Sequence, residues 1–284
     1  MNKVVQRLLT FTIAIPICVL LIWVPKWQNH FVLNIIIIVV SLIAVNETHM
    51  LLRQNLPVQS RRFVLILSFF ISVVTSLCAI FDLSMEYSTF AFVFSLTCIL
   101  VYEVFSKKTT EEQFSKSLSK IVTSSFNIFY SVFFLTFVQR MTTWQNSREV
   151  LVVFLLMVFM CDSIAWLLGI TMGKNNRGII KASPNKSILG FIGGFLGSIA
   201  VGILAYFIFF DIFGHLLKMI ILGFITALAA IIGDLAESVM KRSAQIKDSG
   251  NVIPGRGGIL DSIDSIIFAA PAYYITIQFL FNFS

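Results

Sequence analysis

The feature that most constrains this chain is a series of long apolar stretches that occupy most of its 284 residues. Each approaches the roughly 20 apolar residues that an α-helix needs to cross about 30 Å of hydrocarbon. Nine spans are predicted, at 5–25, 31–52, 62–81, 87–105, 121–138, 149–170, 187–210, 215–236 and 264–282. With 57 % hydrophobic residues and a mean hydropathy of +0.90, the chain leaves no room for a separate soluble domain.

Backbone groups inside a bilayer must find partners within the protein, so the spans are predicted to be helices. The alternating pattern typical of a transmembrane barrel is missing from the sequence. We therefore predict an all-α polytopic membrane protein with about nine transmembrane helices. It would be one continuous membrane domain, with N-terminal helices at 1–145 and a candidate catalytic region at 146–284. The first span resembles a signal peptide but lacks a small-residue cleavage pattern, so we expect an uncleaved helix.

The distribution of basic residues predicts the orientation. With the N-terminus in the cytoplasm, 17 of the 21 lysines and arginines fall on the inner side. The outer side receives four, which are Lys26, Arg140, Arg148 and Lys218. This asymmetry obeys the positive-inside rule. The net charge of +7 therefore indicates charge that faces anionic lipid and sets topology, and no nucleic-acid partner is expected.

Charge is concentrated in one stretch, 233–264, between two apolar spans. It contains five carboxylates, three lysines or arginines in close order, and a fourth cation at Arg256, although only 12 % of the chain is charged. Charge at the edge of a bilayer is costly to keep, so such a cluster is a candidate functional site. The predicted orientation places it on the cytoplasmic face, where nucleotides are found.

The spacing within this stretch predicts which side chains meet. Asp234, Glu237 and Lys241 share one helix face at i, i+3 and i+7, and Asp261 and Asp264 share a face at the start of the next helix. Carboxylates near a helix N-terminus are favourably placed against the helix dipole.

Ser238 and Arg242 form an adjacent i, i+4 pair on the first of these helices. Lys247 and Asp248 follow in a loop, and the glycine- and proline-rich segment 254–258 cannot be regular helix.

Two upstream motifs carry further polar residues. Asp162 lies two turns inside an otherwise apolar helix, so it should face a partner or a wet cavity. Ser183 and Pro184 break a helix, and Lys186 and Ser187 open the next one. A helix N-terminus of this kind suits an anion such as a triphosphate, although a capped turn would also explain it.

The glycines that follow have two interleaved GxxxG spacings, at Gly190, Gly193, Gly194 and Gly197. Because they lie within a span, we predict close helix packing and not a phosphate cradle.

The N-terminal spans carry few polar residues. Glu47 and Glu103 lie near the inner ends of their helices, with His49 beside the former. Each carboxylate is expected to snorkel or to pair with a loop lysine, or alternatively to contact a polar cavity or a substrate headgroup.

The acidic cluster indicates metal-assisted phosphate chemistry. Oxygen ligands without histidine or cysteine select Mg²⁺ or Mn²⁺ over Zn²⁺. Phosphoryl-type transfer needs such an ion, cationic neutralisation and an in-line nucleophile. An ionised phosphate monoester is already nucleophilic, so the lack of a nearby histidine is no obstacle. A loop that binds lipid headgroups nonspecifically would explain the cations but not the five carboxylates.

The pattern S-x-x-K-R-x4-K-D-x-G-x3-P-G-x-G-G-x-x-D-x-x-D, from Ser238 to Asp264, resembles the signature of the phosphatidate cytidylyltransferases. The motifs D-S-I-A-W at Asp162 and S-P-N-K-S at Ser183 resemble two further family motifs in the same order. The resemblance implies a multi-span enzyme of the cell inner membrane that makes CDP-diacylglycerol and pyrophosphate from CTP and phosphatidic acid. It also implies Mg²⁺, a monovalent cation such as K⁺, contact with membrane lipids, and a homodimer.

The resemblance assigns roles to matching residues. Expected at the metal are Asp248, Asp261, Asp264 and, as a further candidate, Asp234; expected at phosphate groups are Lys241, Arg242 and Lys247. Expected at the substrates are Asp162, Ser183, Pro184, Lys186, Ser187, Ser238 and Arg256. The candidate catalytic residues are Asp248, Asp261, Asp264, Lys241, Arg242 and Lys247.

The sequence departs from the family pattern at three places. The family usually has His where Arg256 stands, Arg where Ser262 stands, and a Trp-Glu pair at Ile188 and Leu189. We hypothesise that Arg256 replaces the cation lost at Ser262; the missing glutamate leaves any role for it in doubt here.

Two other function classes remain open on the residues alone. A CTP-dependent polyprenol or lipid kinase would share the spans and the nucleotide, but it would release CDP and benefit from a base. A transporter would place ionisable residues near the bilayer midplane and show inverted repeats, whereas these charges lie at one face.

Overall fold

The structure is a computed structural model that describes residues 16–23, 29–106, 114–250, 252–253 and 257–283. Across these ranges the chain is helical and contains no β-strand. Two isolated bridges, Arg177 with Ser187 and Ile253 with Gly257, tie loop segments together.

Eight helices in the described part of the chain are long and apolar enough to cross a membrane. In chain order they are α1 Phe31–Arg53, α2 Arg61–Ile80, α3 Glu86–Val104, α4 Ser117–Met141, α5 Ser147–Thr171, α6 Ile188–Ile208, α7 Leu216–Ser243 and α8 Leu260–Phe281. A π-helical turn, Phe129–Phe133, interrupts α4. A 3-10 turn, Lys174–Asn176, follows α5.

These helices confirm the all-helical, multi-pass membrane architecture. Of the first predicted span, 5–25, the structure describes only 16–23, which is helical, so a ninth crossing stays a prediction. The division at residues 145 and 146 falls between α4 and α5 and is likewise untested. The largest difference in helix bounds concerns α7, which runs seven residues past its predicted end; α4 and α8 each begin four residues early.

The outer surface carries large apolar side chains, as a lipid-facing surface requires. Val104, Phe105 and Phe279 are 74 %, 81 % and 84 % exposed. Exposed apolar area on this scale would be a liability in water but is favourable against hydrocarbon.

Inside the N-terminal helices, hydroxyl groups join neighbouring spans. Ser41 and Ser72 bring α1 and α2 together with oxygens 2.9 Å apart, and Thr48 and Ser131 join α1 to α4 at 2.8 Å. Lipid offers helices no hydrophobic drive to associate, so such bonds and close packing hold the bundle together.

The C-terminal helices pack through glycine. A Cβ added at Gly197 in α6 would lie 2.6 Å from the Met160 carbonyl oxygen of α5, and one at Gly202 would lie 2.6 Å from that of Met219 in α7. One at Gly233 in α7 would lie 2.6 Å from the Asp264 carbonyl oxygen of α8. Backbones this close admit no side chain between them. This confirms the predicted packing role of the α6 glycines.

Candidate active site

One cavity of about 430 Å³ opens where α5 and α7 end and α6 and α8 begin. It gathers most of the residues that the sequence singled out. They are Asp162, Ser183, Lys186, Ser187, Asp234, Ser238, Lys241, Arg242, Lys247, Asp248, Asp261 and Asp264. Pro184 is exposed and does not line the cavity, and Arg256 lies outside the described residues. Three motifs spread over more than 100 residues of sequence therefore meet at one place.

The end of α7 supplies several of the charged groups. The helix continues to Ser243, with Lys241 and Arg242 in its last turn, where cations complement the helix dipole. Gln245 then adopts a left-handed conformation, with φ of 57°, and Ile246 N–H donates to the Lys241 carbonyl at 3.0 Å. This C-terminal turn leads the chain directly to Lys247 and Asp248.

The start of α6 forms the opposite wall. Ser187 is the N-cap of this helix, and its hydroxyl accepts a hydrogen bond from Gly190 N–H at 3.0 Å. The prediction that Lys186 and Ser187 open a helix is thereby confirmed. The chain just after α5 lies close against this N-cap, because a Cβ at Gly173 would collide with the Ser187 side chain.

Lys241 forms ion pairs with two carboxylates of the cavity. Its ammonium is 2.5 Å from a Glu237 carboxylate oxygen and 2.6 Å from Asp261 Oδ1. Glu237 is 1 % exposed, and its other oxygen, Oε1, is buried without a hydrogen-bond partner. One lysine thus pairs with two carboxylates that come from different helices.

Asp261 is held by further donors from its own loop. Its Oδ2 accepts from Ser249 N–H at 2.8 Å and Gly258 N–H at 2.7 Å, and it shares the single Ser249 hydroxyl hydrogen with Glu47 Oε2, each oxygen lying 3.0 Å from that hydroxyl. Backbone N–H groups that converge on a carboxylate stabilise its ionised form. The side chain is therefore fixed at the mouth of α8.

A second group of carboxylates lines the deeper wall. Asp264 is 6 % exposed, and its Oδ1 accepts from Ser265 N–H at 2.7 Å. The Ser265 hydroxyl in turn donates to Asp162 at 3.2 Å. The expectation that Asp162 faces a partner or a polar cavity is confirmed on both counts. Asp234 forms an ion pair with Lys186 across the cavity.

Gly257 controls the position of Asp261. Its φ is +112°, and an added Cβ would collide with Asp261 Oδ2 and lie 3.2 Å from the Asp248 Cβ. We expect Gly257→Ala to reduce turnover by about tenfold or more, because it displaces a carboxylate in a site that depends on placement. Gly178→Ala is the matched control. It imposes a similar strain at φ +85°, but nothing lies within 4 Å of the new methyl group. Equal turnover in the two variants, measured in the assay described below, would contradict this role.

Several cavity residues received no role from the sequence. Glu237 was placed on the correct helix face, but no chemistry was assigned to it. Arg177 and Trp166 also line the cavity, and Arg177 donates to the Gly169 carbonyl at 2.9 Å. Trp166 belongs to the D-S-I-A-W motif itself, so its position in that motif was an available signal.

The expectation for Glu47 was wrong. In the part of the chain that the structure describes, its side chain pairs with no lysine, and it does not line the cavity. It is 4 % exposed and accepts hydrogen bonds from Ser249, Ile259 and Leu260. Glu103 is also buried, at 5 % exposure, and accepts from Gln59 Nε2 at 3.2 Å.

The departures from the family pattern can be located in part. Ser262 donates its hydroxyl to the Gly258 carbonyl at 3.3 Å within the first turn of α8, so it brings no cation there. Leu189 lies in the first turn of α6. The hypothesis that Arg256 supplies the missing charge stays a prediction, since that residue is not described.

Comparison with known proteins agrees with this geometry. A model of the cytidylyltransferase family matches residues 5–280. The chain belongs to this family. Among its relatives is a phosphatidate cytidylyltransferase of Thermotoga maritima, 31 % identical over 193 residues, which are 65 % of this chain and 69 % of that protein.

Two further relatives carry the same name. The protein of a Synechocystis species is 39 % identical over 127 residues, 43 % of this chain and 41 % of the relative. That of Staphylococcus epidermidis is 38 % identical over 130 residues, 46 % and 49 % of the two chains. The match to these two cytidylyltransferases thus spans less than half of either relative's length.

Proposed function

We propose that this protein transfers the cytidylyl group of CTP to phosphatidic acid, forming CDP-diacylglycerol and pyrophosphate for phospholipid synthesis. One observation carries the proposal: a cavity at the ends of four apolar helices collects every charged residue of the three family motifs that the structure describes. A site at the edge of a membrane can take a soluble nucleotide from one side and a lipid headgroup from the other.

The reaction needs positioning and charge neutralisation more than proton transfer. A phosphate oxygen of phosphatidic acid attacks the α-phosphorus of CTP, the bond to the β-phosphate oxygen breaks, and pyrophosphate leaves with the electron pair. Lys186, Lys241, Arg242 and Lys247 are the proposed partners of the phosphate groups. Fixed cations in a site that excludes water stabilise the charge that develops in the transition state.

The charge balance of the cavity supports a metal requirement. Among the residues that the structure describes, six carboxylates and five lysines or arginines line it. Even with Arg256 added, the charges would only balance. Two anionic substrates therefore need additional positive charge. We propose Mg²⁺ or Mn²⁺ held by Asp248, Asp261 and Asp264 with Asp234, and a monovalent cation such as K⁺ beside it.

The donors suit such an ion. The carboxylates offer hard oxygen ligands, and the unpartnered, buried Oε1 of Glu237 is one open position. In the described ranges no three such residues are already gathered as a ligand set, because Lys186 and Lys241 hold Asp234 and Asp261. We infer that metal and substrate phosphates replace these pairs. When bound, the ion neutralises phosphate charge and orients the α-phosphate.

We also propose that nine helices cross the inner membrane with the N-terminus and the cavity on the cytoplasmic side, and that the protein is a homodimer. The orientation rests on the positive-inside count. It is supported by contact between segments predicted to lie inside: the Asn55 side chain, just after α1, donates to the carbonyl of Ser243, the last residue of α7. The dimer rests on the family resemblance alone.

The test is an assay of the purified protein with labelled CTP and phosphatidic acid. We expect labelled CDP-diacylglycerol and one pyrophosphate per turnover, with activity lost in EDTA and restored by Mg²⁺. Release of CDP would indicate a lipid kinase instead. Turnover that survives EDTA would overturn the metal assignment.

A further inference from the structure

Glu47 makes an unusually long-range connection. It belongs to α1, yet its carboxylate accepts from Leu260 N–H at 2.8 Å, Ile259 N–H at 3.1 Å and the Ser249 hydroxyl at 3.0 Å. These donors lie 202 to 213 residues away in sequence. The N–H groups at a helix start have no partner within the helix, so a carboxylate from α1 satisfies the first turn of α8.

The loop is shaped around this carboxylate. A Cβ at Gly250 would lie 2.7 Å from Glu47 Oε1, and one at Gly258 would collide with Oε2. Both positions therefore leave room for Glu47 only because they are glycine. An acid that snorkelled to water would need no such space.

The same loop holds the candidate metal ligand. The Ser249 hydroxyl lies 3.0 Å from Glu47 Oε2 and also 3.0 Å from Asp261 Oδ2. Gly258 N–H donates to Asp261, while a Cβ on that glycine would strike Glu47. The two carboxylates thus lie on either side of one short piece of backbone, and a shift at one is transmitted to the other.

We infer that Glu47 is a positioning residue of this enzyme, which holds Ser249 and the turn 257–260 together at the start of α8 and thereby fixes Asp261. The inference rests on the proposed function. Glu47 does not line the cavity, so it acts through the loop and touches no substrate. In this way the N-terminal helices contribute to a site whose described lining residues come from α5 onward.

The test compares Glu47→Gln with Glu103→Gln, in the full-length protein in detergent. Glu103 is the matched control, because it is a carboxylate buried to the same extent in another N-terminal helix and lies outside the cavity. A glutamine at 47 keeps the size of the side chain. Its NH₂ group would face N–H donors, and the charge that complements the α8 dipole would be lost.

We expect Glu47→Gln to speed hydrogen–deuterium exchange in peptides covering 249–264 by about tenfold. We also expect kcat to fall by on the order of tenfold, with KM for CTP changed less than twofold, because the α6 and α7 cations that contact phosphate stay in place. Glu103→Gln should leave exchange in this region and kcat unchanged. Wild-type exchange in Glu47→Gln, or an equal effect of Glu103→Gln, would overturn the inference.

Gly258→Ala provides a second variant that keeps Glu47 itself intact. It should reproduce the faster exchange and the lower kcat, and the double variant should be no worse than either single one, since both disrupt the same contact. If the double variant lost kcat by the product of the two single fold-losses, the two substitutions would not act through a shared contact. The exchange measurement needs no substrate. A wild-type protein that lacks cytidylyl transfer would therefore refute the proposed function, while the exchange result would still decide the role of Glu47.

Discussion

Asp261→Asn is expected to lower kcat by on the order of 10²- to 10³-fold, because it removes charge where the transition state is stabilised electrostatically. It should also destabilise the fold. The carboxylate accepts from the Lys241 ammonium and from the N–H groups of Ser249 and Gly258, and it shares the Ser249 hydroxyl hydrogen with Glu47. An asparagine NH₂ would face one of these donors, at a cost of about 1–3 kcal/mol.

The measurement pairs steady-state turnover with thermal unfolding in detergent. Asp211→Asn is the control, since Asp211 is exposed beyond the far end of α6 and takes no part in the cavity. Asp211→Asn should match the wild type in both turnover and unfolding temperature. An Asp261→Asn variant with wild-type turnover at saturating Mg²⁺ would remove this residue from the catalytic group.

Asp264→Asn is expected to lower kcat by on the order of 10²-fold or more, with little change in the unfolding temperature. The hydrogen bond that this side chain accepts from Ser265 N–H can also be accepted by an amide oxygen. The substitution therefore removes charge from the deep wall of the cavity but keeps size and local bonding. Because the lost negative charge would hold the metal ion, the loss of rate reports electrostatics directly.

The contrast between the two variants is informative. If Asp264→Asn lowered the unfolding temperature as much as Asp261→Asn, its loss of rate could be ascribed to the fold. Full activity in Asp264→Asn would contradict the proposed metal role. Both outcomes are read in the same two assays, with Asp211→Asn as the reference.

Span positions were predictable because hydrocarbon thickness sets helix length. The errors arise where charge enters a helix. From hydropathy, the span that corresponds to α7 was predicted to end at residue 236. The helix continues to Ser243, because Glu237 and Lys241 pair with each other inside the structure. A window average cannot recognise that two opposite charges one turn apart neutralise each other.

The composition of the cavity was also largely predictable. Helical periodicity placed Asp234, Glu237 and Lys241 on one face, and all three line the cavity. The resemblance to the family motifs indicated which loops lie together at one site. Pairing was not predictable: nothing in the sequence says that Lys186 faces Asp234 or that Lys241 bridges to Asp261.

Glu47 could not have been placed from the sequence. Its helix has almost no amphipathic bias, so periodicity gives no direction for the side chain, and its partners lie more than 200 residues away. Only the packed structure shows that Gly250 and Gly258 leave space for it. The informative signal was the presence of an acid in an apolar span, which identifies a residue with a role but not its partner.

The glycine contacts among the C-terminal helices affect how the protein responds to bilayers of different thickness. Helices separated by flexible side chains can tilt individually when lipid length changes. Here the α5, α6, α7 and α8 backbones touch at Gly197, Gly202 and Gly233. Lipid mismatch must therefore tilt these four helices together, which preserves the distances among the groups they carry.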